Sequence, residues 1–247
     1  MKAVKWVGLA GSVFALTILA YSHRSSLHAA GAAYLGSSKC KMCHGKIYGP
    51  WSKTKHAQVK SEDGDGPGVK YRKSSGFNAE SGSPSEPGVT CEACHGPGAD
   101  HMKNRANIVK PAELDAVKAA MLCGQCHATG KSKSGKDFPE GYVAGGDLNE
   151  VFTVEAAAEH TPNSTYSEWV CSKHAANSVN CEKCHDPHGT TDQPFQLRSA
   201  VNELCGGCHA SQKDINTHQP TAAADATCSG CHMPKGVHKF DKASAAK

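Results

Sequence analysis

The hydrophobic pattern of the chain contains one long apolar run, at its N-terminus. Lys2 and Lys5 precede sixteen uncharged, mostly apolar residues from Trp6 to Tyr21. A basic start, an apolar stretch and a following small-residue site such as Ala30-Gly31-Ala32 are typical of an export signal. Because a bilayer span needs about 20 apolar residues, we expect a cleaved signal over residues 1–32, with an uncleaved anchor as the alternative. Either outcome places the remaining chain in the periplasm or outside the cell.

After this segment, the pattern predicts coil with a few short elements. A helix is expected from Pro111 to Leu122, because proline is favoured in the first helical turn. A short strand is expected from Val151 to Val154. Residues 61–88 are rich in Gly, Pro and Ser, which predicts an exposed loop. The absence of further Val/Ile/Leu runs argues against a large parallel-sheet enzyme.

Composition adds an excess of cysteine and histidine to this picture. The 247 residues include 13 Cys and 15 His, whereas hydrophobic residues make up 38%, below the roughly 45–50% of ordinary globular chains. A conventional apolar core would therefore be thin. The cysteines and histidines need a chemical explanation.

Twelve of the thirteen cysteines lie in six copies of Cys-x-x-Cys-His, the attachment signature of c-type haem. Its two thiols lie about one helical turn apart, so both can add to the vinyl groups of one porphyrin while the adjoining His becomes the proximal iron ligand. Zinc knuckles, redox dithiols and a disulfide framework could also use Cys-x-x-Cys pairs, but none requires His after the second Cys. The six copies are Cys40, Cys43 and His44; Cys91, Cys94 and His95; Cys123, Cys126 and His127; Cys181, Cys184 and His185; Cys205, Cys208 and His209; and Cys228, Cys231 and His232.

Six haem c groups in so short a chain would supply most of its buried apolar surface. We therefore expect mainly coil with short α-helices and little β structure, wrapped around a stacked chain of six haems. Removal of the signal leaves basic and acidic residues nearly balanced, and the haem propionates would make the holo-protein acidic. The sequence has no basic patch interleaved with aromatic residues, so we do not expect nucleic-acid binding.

Seven histidines outside the motifs and the signal are candidates for the second ligand on six irons, which favours bis-histidine coordination. His101 and His188 each follow a Gly- or Pro-containing turn just after a proximal ligand, and such a turn would aim them at a neighbouring iron. His56 and His174 share the context Trp-x-x-x-x-His-Ala. The other three are His160, His218 and His238, of which one is expected to be unligated or to reach another subunit. Methionine is an alternative distal ligand, and the methionines near attachment sites are Met42, Met102, Met121 and Met233.

An internal repeat divides the chain. A Trp-x-x-x-x-His-Ala segment, a Val-x-Cys-Glu-x-Cys-His motif and a Leu-Cys-Gly-x-Cys-His-Ala motif occur twice in this order. We therefore expect an N-terminal three-haem half over residues 33–130, a linker over 131–159 and a C-terminal three-haem half over 160–247. Cys171 lies outside every attachment motif, and its role stays open.

These motifs resemble those of multihaem c-type cytochromes of the periplasmic and extracellular respiratory kind, including tetrahaem and decahaem electron-transfer proteins. The resemblance is carried by Tyr34-Leu35-Gly36-Ser37-Ser38-Lys39-Cys40, by Cys-Glu-x-Cys-His-Gly-Pro-Gly at 91–98, by Cys-His-Asp-Pro-His-Gly at 184–189 and by Cys231-His232-Met233-Pro234-Lys235. It implies closely stacked haems that relay single electrons between donor and acceptor redox proteins in anaerobic respiration. The expected function is thus an electron carrier or conduit rather than an enzyme.

Three alternatives stay open beside it. The chain could be the subunit of an extracellular cytochrome filament, in which a His of one subunit ligates a haem of the next. It could be a nitrite- or hydroxylamine-converting enzyme, which needs an open iron position; no Cys-x-x-Cys-Lys variant of the motif occurs. Finally, a retained N-terminal segment would give membrane contact and suggest a quinol dehydrogenase.

Overall fold

A computed structural model describes residues 34–59, 88–212, 218 and 223–240. The predicted export signal and most of the predicted loop at 61–88 lie outside these residues. In the part of the chain that the structure covers, no helix combines the length and the apolar composition needed to cross a bilayer.

The described chain is mostly coil with short helices and one small sheet, which confirms the predicted fold class. Its α-helices are α1 (Ser37–Trp51), α2 (Lys55–Gln58), α3 (Cys91–His95), α4 (Ala116–His127), α5 (Thr165–Trp169), α6 (Lys173–Ala176), α7 (Val201–Gly206) and α8 (Cys228–His232). Strands β1 (Gly130–Ser132) and β2 (Phe152–Val154) pair in antiparallel register. Short 3-10 turns lie at Pro111–Glu113, Leu148–Glu150, Cys181–Lys183, Pro194–Gln196, Ala210–Gln212 and Pro234–Gly236.

The helix predicted from Pro111 to Leu122 is shifted along the chain. Pro111 begins a 3-10 turn, the chain then extends, and the α-helix starts only after Asp115. The Asp115 carboxylate accepts hydrogen bonds from the amides of Val117 and Lys118 at 3.1 and 2.9 Å, as an N-cap residue does. The helix then runs through an entire attachment motif to His127.

The apolar core lies in the middle of the chain rather than separately in each predicted half. It gathers Ala120, Met121, Ala128, Tyr142, Leu148, Phe152, Tyr166 and Trp169. Three of these, Tyr142, Leu148 and Phe152, belong to residues 131–159, which the sequence analysis interprets as a linker. This segment therefore supplies large apolar side chains to the packing between α4 and α5, and the division into two halves stays a prediction.

The internal repeat is visible as local geometry around two of the candidate histidines. Thr54 caps α2 by accepting from the Ala57 amide, and Ser172 caps α6 by accepting from the Ala175 amide, both at 3.2 Å. Each cap fixes a one-turn helix whose second residue is a histidine, His56 in α2 and His174 in α6. The repeated sequence thus builds the same support twice.

We predict that Gly124→Ala destabilises the protein. A Cβ atom at Gly124 would lie 3.0 Å from side-chain atoms of both Leu148 and Tyr166, and crowding in a packed core costs about 1–3 kcal/mol. The gain in helix propensity, roughly 1 kcal/mol, offsets only part of this cost. Thermal unfolding of the holo-protein should show a lowered Tm.

Gly49→Ala is the matched control, because Gly49 is also helical and a Cβ there would meet nothing within 4 Å. Its Tm should be unchanged or raised. Equal Tm values for the two variants would contradict tight packing at Gly124.

Candidate haem sites

The structure brings the candidate histidines together in pairs. Each histidine of an attachment motif faces one histidine from outside the motifs, with ring centroids 6.0–6.2 Å apart. We number these sites in the chain order of the motif histidine. They are site 1 (His44 and His101), site 2 (His95 and His188), site 3 (His127 and His56), site 4 (His185 and His238), site 5 (His209 and His174) and site 6 (His232 and His218).

This separation fits two imidazoles on opposite faces of one iron. A ligating imidazole nitrogen lies about 2 Å from a transition-metal ion, and the ring centroid lies about 1 Å behind that nitrogen. Two such rings facing each other across one ion therefore have centroids about 6 Å apart. Among the described residues, no group of three or more His, Cys, Asp or Glu side chains is arranged to hold a metal ion.

The relative orientation of the two rings divides the sites into two classes. In sites 1, 2, 4 and 6 the planes are within 10–28° of parallel. In sites 3 and 5 they are at 81° and 90°. These two sites contain the repeat-related histidines, His56 and His174, which α2 and α6 place in the same way.

Backbone carbonyls orient several of these rings through Nδ1. His95, His127 and His185 lie 2.8, 2.6 and 2.9 Å from the carbonyl oxygens of Val109, Pro162 and Phe195. His101 and His238 make similar contacts with the carbonyls of Arg105 and Gly236, at 3.1 and 2.8 Å. An Nδ1–H that donates to a carbonyl leaves Nε2 with its lone pair, which is the state of a metal-ligating histidine.

The environment also favours the neutral form of four of the non-motif rings. Burial lowers the pKa of His56, His174, His188 and His238 below its ordinary value, and the facing motif histidine lowers each pKa further. Neutral imidazole is the form that binds a metal ion.

The twelve attachment cysteines, which the sequence treats alike, differ in exposure. The partly buried ones are Cys40, Cys91, Cys94, Cys123, Cys126, Cys181, Cys184, Cys205 and Cys228, and the exposed ones are Cys43, Cys208 and Cys231. Each exposed cysteine is the second of its motif. Cys126 is also a second cysteine, but it lies within α4 and is partly buried, whereas Cys208 lies beyond the end of α7. Haem attachment through Cys126, Cys208 and the other ten stays a prediction from the motif.

The attachment motifs also lie next to one another in space. None of the thirteen cysteines, all within the described residues, forms a disulfide. The Cys123 thiol is hydrogen-bonded to Cys181 in the next motif, and the Cys205 thiol is hydrogen-bonded to Cys228. Burial raises the pKa of the Cys94 thiol to about 12.

Hydrogen bonds fasten site 2 to its two neighbours. Glu92, buried inside the motif of site 2, accepts from the Leu35 and Gly36 amides ahead of α1 at 2.9 and 2.8 Å. Gln125, inside the motif of site 3, donates to the Ala93 carbonyl of site 2 at 2.9 Å. Consecutive motifs in the sequence are thus neighbours in the fold.

His160 is placed differently from the other six candidates. In the described chain it does not face a second imidazole at this spacing. Its Nδ1 lies 2.8 Å from Oε1 of Glu168, which is only 3% exposed on its side chain. Ser164 also donates to Oε1, at 2.9 Å, and the amide of His238 donates to Oε2 at 2.8 Å. Glu168 therefore anchors the segment that carries His238.

Of the methionines considered as alternative ligands, one is buried in the core, two are exposed and Met233 is half-buried. Met121 is buried in the core, where its sulfur accepts from the Leu148 amide at 3.4 Å. Met42 and Met102 are exposed to 74% and 59%. The sequence did not show which two histidines face each other, because partners lie up to 93 residues apart, as in site 2.

Comparisons with known proteins agree with the motifs. A family model described as a doubled CXXCH motif matches residues 174–214, and the family model of cytochrome c554 and c-prime matches residues 39–66. The multiheme cytochrome MtrA of Shewanella baltica (strain OS185) is 31% identical over 156 residues, which are 60% of this chain and 36% of MtrA. The chain therefore spans about a third of the length of this curated relative.

Two solved structures are also similar. The outer cell wall cytochrome OcwA superimposes with a TM-score of 0.58 at 19% identity, over 84% of this chain and 79% of OcwA. An undecaheme cytochrome from the S-layer of Carboxydothermus ferrireducens gives a TM-score of 0.48 at 21% identity, over 92% and 54% of the two chains. The likeness to OcwA shows a shared fold. Motifs, family models and fold together support a multihaem c-type cytochrome.

We predict that Glu168→Gln loosens the segment that carries His238. The amide group of Gln has donors where the carboxylate accepts, so one buried donor among His160, Ser164 and the His238 amide loses its acceptor. Losing a hydrogen bond to a charged group costs about 1.5–3 kcal/mol. Hydrogen exchange followed by mass spectrometry should show peptides that cover residues 233–240 exchanging about tenfold faster or more.

The control variant is Glu159→Gln, since Glu159 is exposed and makes none of these contacts. Its exchange pattern should match that of the wild-type protein. Unchanged protection of residues 233–240 in Glu168→Gln would show that the carboxylate does not anchor this segment.

Proposed function

We propose that the protein transfers single electrons through six c-type haems, each with two histidine ligands. The observation that carries this proposal is the set of six imidazole pairs at one common separation, each pair with one member in an attachment motif. The cysteines of each motif would hold the porphyrin, and the two rings would bind its iron from opposite faces. When bound, each haem supplies a one-electron couple, and bis-histidine ligation holds its potential low.

In this proposal the distal ligands are His101, His188, His56, His238, His174 and His218, for sites 1 to 6 in that order. His160 is then the seventh histidine, and its role is to contact Glu168. This arrangement leaves no iron with an open position. It therefore supports a carrier over an enzyme that binds nitrite or hydroxylamine at iron.

The order of the sites in space supports a conduit that follows the sequence. Glu92 joins sites 1 and 2, Gln125 joins sites 2 and 3, and the Cys123–Cys181 contact joins sites 3 and 4. The Cys205 side chain lies near Cys184 of site 4 and Cys228 of site 6. We propose a chain of haems that runs from site 1 to site 6.

Location and partners complete the proposal. The N-terminal apolar segment supports export to the periplasm or the cell exterior, where donor and acceptor redox proteins would exchange electrons with the two ends of the chain. All six pairs form within one chain, so the self-assembled filament is not needed to complete any site. Removal of the signal by cleavage remains part of the proposal.

We predict that His218→Ala converts one haem of six to the high-spin state, whereas His160→Ala leaves all six low-spin. Removing a distal imidazole opens an iron position, and the ligand field at that iron becomes weaker. His218 is exposed, so its loss is expected to leave the rest of the fold intact. Optical and electron paramagnetic resonance (EPR) spectra of the oxidised holo-protein measure the change.

His160→Ala is the matched control, because it removes an imidazole that lies outside the six pairs. A high-spin haem in His160→Ala, or six low-spin haems in His218→Ala, would overturn the proposed ligand assignment. A high-spin haem in the wild-type protein would revive the enzyme alternative.

We also predict two classes of low-spin EPR signal in a ratio of four to two. Two iron d orbitals can form π interactions with the axial imidazoles. Parallel ring planes interact with the same one of these orbitals and separate the two in energy. Perpendicular planes interact with one orbital each and leave the two energies nearly equal. Sites 3 and 5, with planes at 81° and 90°, should therefore give strongly anisotropic signals, and the other four should be rhombic. Six signals of a single class would contradict the ring orientations.

A further inference from the structure

Positive charge is concentrated around site 1. Residues 34–59 contain five lysines and no Asp or Glu. All five side chains are exposed, and no acidic side chain of the described residues lies within ion-pair distance of them. The five are Lys39, Lys41, Lys46, Lys53 and Lys55. Three of them belong to α1, the helix that carries the motif of site 1.

The segment with the second ring of site 1 extends this charge. The backbone carbonyl of Arg105 accepts a hydrogen bond from the His101 ring, and the Arg105 side chain is exposed. Lys103 is also exposed but forms a salt bridge with Asp100 at 3.3 Å. Cations therefore lie on both sides of the His44–His101 pair.

One later region of the chain has the opposite balance. Residues 145–212, which carry the attachment motifs of sites 4 and 5, contain nine acidic and three basic residues. Each haem adds two propionates at its own site, so this difference between the two regions persists in the holo-protein. Site 1 therefore differs in charge from the region of sites 4 and 5, and a surface of one sign steers oppositely charged partners toward it.

Site 1 also has the exposure and apolar surface that a docking site needs. It lies at one end of the site order, and both Cys43 and His44 are exposed. Met42 and Met102, next to the two rings in sequence, are exposed apolar side chains. Apolar centres with a charged rim are typical of protein interfaces.

We propose that the lysine-rich surface around site 1 is the docking surface for an electron-transfer protein with an acidic face. This inference rests on the proposed function, since it assigns the end of the conduit at which such a partner binds. One electron passes between the partner and the haem of site 1, so one protein is oxidised and the other is reduced, with no proton or covalent bond involved. Charge complementarity selects the partner.

The test uses reduced flavodoxin, an acidic one-electron donor, as the probe. Stopped-flow absorbance measures its oxidation by the oxidised holo-protein, in which one ferric haem becomes ferrous for each electron. The variant is Lys39→Glu/Lys46→Glu, which reverses two charges on either side of His44. The control is Lys131→Glu/Lys133→Glu, which makes the same charge change at two exposed lysines in and beside β1.

At low ionic strength we expect the site-1 variant to react about tenfold more slowly than the wild-type protein. The control should differ from wild type by less than about twofold. The gap should close at about 1 M salt, where the Debye length is about 3 Å. The wild-type rate itself should fall as salt is added.

A wild-type rate independent of salt, or equal rates for the two variants, would overturn the docking surface. Sedimentation velocity at low salt separates the other case. In that case the wild-type protein self-associates and the site-1 variant does not, while flavodoxin reacts at the same rate with both. This result would show that the surface binds a second copy of the chain and that the proposed partner is wrong.

The docking surface can fail without failure of the proposed function. Six low-spin haems in the EPR spectrum, reduced completely by dithionite in both variants, show that the conduit is intact. With that result, equal flavodoxin rates disprove the docking surface alone. High-spin haems in the wild-type protein would instead disprove the ligand assignment on which the conduit depends.

Discussion

The arrangement on which this structure depends is a pair of facing imidazole rings whose centroids lie about 6 Å apart. Each pair joins an attachment motif to a residue outside the motifs. With an iron bound between its rings, as proposed, each pair would act as a restraint on a chain with little regular structure. In site 2 the pair links His95 to His188, which lie in the two predicted halves. The halves therefore share a site, and the apolar core that fills the space between them includes residues of the intervening segment.

The polar contacts around the rings explain how so short a chain holds them in place. Backbone carbonyls contact several rings through Nδ1. One-turn helices capped by Thr54 and Ser172 position two histidines outside the motifs, and the buried Glu168 carboxylate anchors the segment of a third. Buried polar groups are costly unless they are satisfied by hydrogen bonds. The backbone around each site is thus held by specific hydrogen bonds rather than by long helices or a large sheet.

The proposed conduit and its docking surface follow from the same arrangement. In the proposed conduit, attachment motifs that follow one another in sequence are also neighbours in space, so sites 1 and 6 are its two ends. The lysines of α1 make the first end basic, while residues 145–212 are acidic. Site 1 and the region of sites 4 and 5 thus have different electrostatic surfaces, so an acidic partner would be directed to site 1.

The sequence by itself determined the class of protein, because Cys-x-x-Cys-His places both thiols and the adjoining histidine within one helical turn and needs no tertiary information. It also determined the mostly coil fold, because six attachment motifs in so short a chain leave few residues between them for long helices or a large sheet. Only the tertiary structure decided which histidines face each other, that His160 contacts Glu168 instead, and that residues 131–159 enter the core. The physical reason is that a facing ring is selected by distance and direction in space, to which loop length and residue type are only weak guides.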